Sequence, residues 1–541
     1  MMRRDSRRRV RAACAGLAAS LFVLTLDARG PVQTPQTRAG IFDASPRQTN
    51  AATVRLRMTA ERAARIARAN AEGLDYVPGE VIVQFRDGMS QAALARTMSA
   101  VPSASGNSRL RWAGRRAVLT SDTMADAHEL AAIVGADPEV LYAEPNYLAR
   151  IGPADPAGSA PLTGGARPNA VPNDPEYATR QWNFEWLQMP RAWDINPGGD
   201  PSVIVAIIDS GITTQAHTLT LPIWTGSSFT NPLVPFAVSP DLSPSRLVSP
   251  IDLIFFEAGG PVLDMDGHGT HVASTVAQET NNGFGLAGMA YNVRLMPVKV
   301  CYGYWEEMYL RAQDGIPGFA SPDAGNCPFS AIAEAIEYAT DNGARVINIS
   351  LGGTGQSNAV RQAMQYAIER GVFISMSGGN RAQTGNQVGY PAFYGQQFGG
   401  AMAVSAVTRS RLRAPYSSTG SYIEIAAPGG STSDGGAAGA IWQATIRRAD
   451  SSTNRLFNGF PAVVEPRFDR FESTGLTGTS MAAPHVAGLA ALLISQGITE
   501  PSLIEQIIRL SARDLGEPGR DDEFGYGLID PRAALFGLGI R

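Results

Sequence analysis

GTSMAAPHVAG, residues Gly478–Gly488, places one hydroxyl, Ser480, where a helix of small residues is about to begin. A serine there sits among unpaired backbone N–H groups at the positive end of the helix dipole, where a developing oxyanion is stabilised. Gly478 permits a tight turn. Pro484 is expected in the helix's opening turn, the part that tolerates proline, so these residues mark where the helix starts. Taken alone, they leave open a plain N-capping serine followed by a packing helix.

Two further motifs bear on that choice. DGHGTHVAST, Asp266–Thr275, carries His268 between two glycines just ahead of another small-residue helix. VIVAIIDSGI, Val203–Ile212, is an apolar, β-branched run that ends on Asp209. A strand buried on both faces reads this way, and in open α/β sheets the site lies at the carboxyl ends of such strands. Asp, His and Ser follow one another in the chain order of the subtilisin triad. The three motifs together resemble the subtilisin-like serine peptidases, the subtilase family, over residues 172 to 541. The resemblance implies an α/β, three-layer fold with a mostly parallel central sheet and helices on both faces. Apolar runs at Leu295–Val300, Val346–Leu351, Val372–Met376 and Met402–Val407, alternating with helical stretches, agree with that.

The same resemblance implies roles for individual residues. Ser480 would attack the scissile carbonyl, His268 would accept its proton and Asp209 would orient the imidazole. VFISMSGGN, Val372–Asn380, ends on the family's oxyanion asparagine, so Asn380 and the Ser480 N–H would form the hole. SLGG, Ser350–Gly353, resembles the substrate-binding strand: Ser350, Leu351 and Gly352 would pair with an extended peptide, with Gly352 allowing its close approach. Gly389 matches the small residue at the base of the primary specificity pocket, which implies a preference for large apolar residues before the scissile bond. Arg381 departs from the pattern. Leaning over the pocket it would disfavour basic and favour acidic residues; pointing to solvent it would change little. TNNGFGLAG, Thr280–Gly288, resembles a structural calcium loop, with Asn282 as a ligand. The carboxylate expected after Asp209 is replaced there by a run through Thr218 and Thr220, so the site reads as incomplete. The chemistry itself requires no cofactor. His271 and His485 read as packed neighbours of the motifs, and His128 and His217 lack a metal partner at helical spacing.

Length and composition set the setting. The 541 residues are 44% hydrophobic with a net charge of −4, enough for a large core, and the arginine-rich patch falls within the first eleven residues, so nothing points to nucleic acid as a partner. MMRRDSRRRVR followed by the apolar run Ala12–Leu26 reads as a secretory signal peptide over residues 1–28, by general secretion or a twin-arginine route. The alternative, a retained anchor, has about 15 apolar residues where a spanning helix needs about 20. Cys14 lies in that run, leaving Cys301 and Cys327, which an exported chain would join as a disulfide; two buried free thiols are the alternative. Residues 29–150 read as a propeptide: an amphipathic helix at Met58–Gly73, a half-buried strand at Pro78–Gly88, a helix at Ser121–Val134 and a strand at Val140–Arg150. From residue 76 onward this resembles the subtilisin-type propeptide, an intramolecular inhibitor whose tail occupies the cleft. A Pro/Gly/Ala linker with the processing site, residues 151–172, should be exposed, and the catalytic domain follows over 173–541. The expectation is a monomeric endopeptidase acting on proteins or peptides, secreted or periplasmic, without stable membrane association once the signal is gone. A silent binding protein on a protease scaffold is the alternative. Insertions at Leu221–Val262 and Gly430–Ser473 carry no motif that assigns them a role.

Overall fold

The structure, a computed structural model, describes residues 56–103, 109–152, 158–160, 171–256, 259–318, 325–447, 456–457, 460–461 and 466–537. The signal segment, Cys14 and most of the linker fall outside them. Seven parallel strands form the central sheet, in the order Ile251–Asp252, Arg294–Lys299, Ile204–Asp209, Val346–Ile349, Phe373–Ser377, Ala401–Val407 and Ile425–Pro428. All four apolar runs are strands of this sheet, and Ile204–Asp209 sits inside it, buried on both sides as its composition requires. One face is covered by the helix Thr479–Ser495, the other by Phe329–Asp341 and Asn358–Ile368. No helix among the described residues is long and apolar enough to cross a membrane.

Ahead of this domain lies a smaller antiparallel unit. The helix Ala60–Glu72 is capped by the Thr59 side chain and closed by Gly73 at φ 67°, as the sequence indicates. Strands Tyr76–Phe85, Arg109–Ala113, Arg116–Thr120 and Val140–Arg150 form its sheet, with helices Gln91–Ala100 and Ala127–Gly135. The strand expected to be half-buried is buried almost throughout. Val81 and Val83 face the unit's own core, whereas Ile82 packs into the core of the larger domain. The sheet continues across the boundary, because Asn326–Pro328 pairs antiparallel with Leu148–Arg150. The hairpin Arg109–Thr120 and the helix Gln91–Ala100 carry no pattern that marked them beforehand.

The insertions prove structural. Leu221, Ile223, Val234, Phe236, Phe255 and Phe256 form a third apolar cluster with Ile66 of the helix Ala60–Glu72 and with Trp305 and Leu310. Residues of the second insertion form a hairpin, Ile441–Ile446 against Phe471–Leu476, with Phe468 stacked on Phe236 at 4.8 Å. Gly158–Ala160, expected in an exposed linker, pairs as a strand with Ser473–Gly475, whose backbone groups would otherwise be an open edge. Cys301 and Cys327 are bonded, S–S 2.04 Å, and close the loop that carries the helix Tyr304–Gln313.

Candidate active site

Asp209 ends its strand at the carboxyl edge of the sheet, and its carboxylate is wholly buried. His268 begins the helix His268–Ala277 and presents Nδ1 to Asp209 Oδ1 at 2.7 Å. Asp264 fixes the start of that helix. It accepts hydrogen bonds from the N–H groups of Gly267 at 2.8 Å and Thr270 at 3.1 Å and from the Ser210 hydroxyl at 3.0 Å. Ser210 Oγ in turn accepts the Gly269 N–H at 2.8 Å, tying the aspartate strand to the histidine helix. Burial by itself would lower the His268 pKa. The charge and hydrogen bond of Asp209, with Asp266 and Asp264 behind them, outweigh it and hold the imidazole above its ordinary value.

Ser480 is the second residue of the helix Thr479–Ser495 and is nearly fully buried. Its hydroxyl donates to the Ser350 carbonyl at 3.1 Å, and the Ser350 hydroxyl donates to the Ser480 carbonyl at 2.9 Å. His268 Nε2 has no hydrogen-bond partner among the described residues. The exchange also corrects the expectation for Pro484. The proline lies past the opening turn, and the carbonyl four residues earlier, which it cannot serve, is that of Ser480; the Ser350 hydroxyl supplies the missing donor.

Asn380 follows the strand Phe373–Ser377 and is held through its oxygen. The Thr479 N–H and hydroxyl donate to Oδ1 at 3.0 and 2.8 Å, leaving Nδ2 free to face the cleft. Thr479 is therefore a positioning residue, one that the motif contains without revealing its role. The chain after Val140–Arg150 enters that cleft. Arg150 exchanges both backbone hydrogen bonds with Gly352, at 2.9 and 3.1 Å, and the Ile151 N–H reaches the Gly325 carbonyl at 3.1 Å. At Gly152, a Cβ would lie 2.6 Å from Asn380 Nδ2, so a residue without a side chain lets the backbone press against the amide. Ser350 and Leu351 are buried in the wall beside this tail. A Cβ on Gly353 would lie 2.5 Å from the Leu148 carbonyl, and one on Gly352 3.3 Å from the Tyr390 carbonyl. Gly389 lies across from this wall, where a Cβ would be 3.6 Å from the Gly378 carbonyl and 3.8 Å from Arg381 Nη1.

The remaining histidines serve packing. His271 Nε2 bonds the Thr474 carbonyl at 3.0 Å, and His485 bridges the Met481 carbonyl and Asn183 at 2.8 Å each. Burial pushes them down to about 3 and about 4, so they stay neutral. His217 opens a short strand, His217–Thr220, and His128 sits on the exposed side of the small unit's helix Ala127–Gly135, its ring 5.1 Å from that of Tyr76.

Asn282 lies beside Asp241 of the first insertion, whose Oδ1 accepts the Asn282 amide at 2.7 Å. Asp174 lies alongside, accepting the Asn281 N–H at 2.9 Å. Burial, with Asp174 adding its charge, raises Asp241 to about 7; burial raises Asp174 to about 6. The groups that face these two buried carboxylates are N–H donors, the side-chain amides of Asn282 and Gln278 on Asp241 and the backbone of Asn281 on Asp174, with Arg246 acting on Asp241 from farther off. No group of three or more His, Cys, Asp or Glu side chains suited to a metal occurs among the described residues.

A buried aspartate–histidine pair at the carboxyl edge of a parallel sheet, a buried serine at the start of a helix, and an antiparallel unit whose tail runs along Gly352 to Asn380 together have the arrangement of a serine peptidase with a prodomain. The subtilase family profile matches residues 200–527, and a fervidolysin N-terminal prodomain profile matches residues 62–146. The chain belongs to the subtilase family and is a serine protease of it. Among curated relatives, the thermophilic serine proteinase of Bacillus sp. strain AK1 is 29% identical over 85% of this chain and 88% of its own length. The extracellular protease of Xanthomonas campestris pv. campestris is 30% identical over 84% of this chain and 72% of its own. Among solved structures, fervidolysin from Fervidobacterium pennivorans superposes with a TM-score of 0.58 at 23% identity, covering 85% of this chain and 61% of that one, a likeness of fold.

Proposed function

We propose that the chain is a secreted serine endopeptidase made as a zymogen, with residues 29–150 as propeptide and processing between Arg150 and Asn173. The observation that carries this is the tail Arg150–Gly152, which runs along Gly352 as a substrate strand would and ends against Asn380. A peptide held by main-chain bonds in this way is tolerated with many sequences. In the reaction, the Ser480 hydroxyl turns from the Ser350 carbonyl to His268, gives its proton to Nε2 and attacks the scissile carbonyl. Asp209 stabilises the imidazolium; Asn380 Nδ2 and the Ser480 N–H take the oxyanion. The proton then passes to the leaving amine. Water repeats the sequence on the acyl-enzyme, with the histidine again as base. We assign a structural calcium ion to Asp241, Asp174 and Asn282, where it would neutralise buried charge and play no part in the chemistry.

The test follows the purified full chain for loss of the propeptide and for cleavage of casein, beside Ser480→Ala. The variant should lose both, with a fall in rate on the order of 10⁶. Propeptide loss and casein cleavage persisting in Ser480→Ala would sink the nucleophile assignment.

A further inference from the structure

Arg381 follows the oxyanion amide directly, and its side chain crosses the pocket that the residue before the scissile bond must enter. Nη2 donates to the Gly352 carbonyl at 3.5 Å, while Nη1 lies 3.8 Å from the place of a Cβ on Gly389. The guanidinium therefore spans from the substrate-binding segment to the pocket's base. Its backbone is fixed: the Arg381 N–H donates to Ser418 Oγ at 3.0 Å and its carbonyl accepts the Asn386 N–H at 2.7 Å. The buried Tyr422 closes the floor, with its hydroxyl donating to the Gly378 carbonyl at 3.0 Å.

Arg381 is half-buried, yet no carboxylate lies within ion-pair distance of it among the described residues. One long bond to a carbonyl leaves most of its five donors unused, in a planar fork whose geometry matches a carboxylate. The charged side chain acting on it across the cleft is a second cation, Arg150 of the tail. The tail residue beside the oxyanion amide, Gly152, has no side chain to offer. The propeptide thus occupies the cleft while leaving this cation without a counter-charge.

We propose that Arg381 makes the enzyme select an acidic residue, glutamate above all, immediately before the scissile bond. A glutamate carboxylate entering between Gly352 and Gly389 meets the guanidinium fork and completes its donors. A large apolar side chain must push the guanidinium aside, and a basic one is repelled. This revises the large apolar preference implied by Gly389, because the small residue at the base opens a pocket that Arg381 then crosses. The inference rests on the endopeptidase reading.

The experiment uses the full chain after it has processed itself, with peptides identical except for Glu, Gln, Phe or Lys before the scissile bond, and compares it with Arg381→Ala. In the parent enzyme kcat/KM for Glu should exceed that for Gln by about tenfold or more, the scale of one charge-assisted pair. Added salt should shrink that ratio, and so should acidification through the glutamate range, readouts that need no variant. In Arg381→Ala the ratio should fall to near one and Phe should become the better substrate. Equal rates on Glu and Gln in the parent, or a Phe preference already present and unchanged by Arg381→Ala, overturns the assignment. Absence of any Ser480-dependent cleavage overturns the endopeptidase reading, and the selectivity with it.

Discussion

At the scale of single residues, the proposed triad is held by groups outside it. Asp264 and Ser210 brace His268, Thr479 turns the Asn380 amide to the cleft, and Ser350 restrains both the Ser480 hydroxyl and its carbonyl. The electrostatics of His268 carry a prediction. Its imidazolium is favoured by Asp209, Asp266 and Asp264 over the opposing effect of burial, so protonation occurs above the ordinary value of 6.5. Only the neutral imidazole accepts the serine proton, so activity is present above the folded-state pKa and lost as pH falls through it. The acid limb of kcat/KM on an uncharged peptide should have its midpoint above 6.5, and Asp266→Asn, which removes a stabilising charge, should shift it downward. A profile flat to pH 5 would contradict the role of His268. Asp209, His268, Ser480 and Asn380 could be proposed from sequence because each lies in a long motif. Asp241 was not, because an insertion delivers it and only the folded chain brings it to Asn282.

Among elements, two helices of the catalytic domain are finished by the prodomain. Glu144 accepts from the Ser357 hydroxyl at 2.6 Å and from the N–H groups of Asn358 and Ala359 at 2.8 and 3.1 Å, capping the helix Asn358–Ile368. Asn146 accepts the Ser330 N–H at 3.1 Å at the start of Phe329–Asp341 and donates to Glu80, which Arg62 holds at 2.9 Å. The buried pair Arg116–Glu337, at 2.8 Å, adds a third tie. A carboxylate at a helix N-terminus satisfies orphan donors and meets the dipole, and losing such a cap costs about 1–2 kcal/mol. Glu144→Ala should therefore release the cut prodomain faster, by about tenfold on that scale, while Glu144→Gln retains much of the hold. The lag before activity appears in the full chain reads this directly; an unchanged lag in Glu144→Ala would remove Glu144 from the docking. The strand Val140–Arg150 was legible to the residue, but what it docks against was not, since the partners lie far along the chain.

For the whole molecule, the first insertion does two jobs that no local pattern announces. Its apolar residues bury the helix Ala60–Glu72, and its Asp241 meets the Asn282 amide near the loop that Asp174 holds. The second job ties chain segments that are remote in sequence, from the start of the catalytic domain at Asp174 to the loop at Asn282. Without a cation these carboxylates are buried charges in a poorly solvating environment, which is costly unless they are paired or protonated. A bound calcium would reverse that, and because it binds only the assembled site it stabilises the fold by mass action, about 4 kcal/mol when free calcium is a thousandfold above Kd. Chelation of the full-length Ser480→Ala protein, which cannot digest itself, should lower its melting temperature by several degrees, with recovery on adding calcium and little on adding magnesium, whose smaller octahedral shell suits this set poorly. Asp241→Asn should melt lower in calcium and respond little to chelator. Identical melting curves with and without chelator in the parent Ser480→Ala protein would show that the buried carboxylates are held by protons instead.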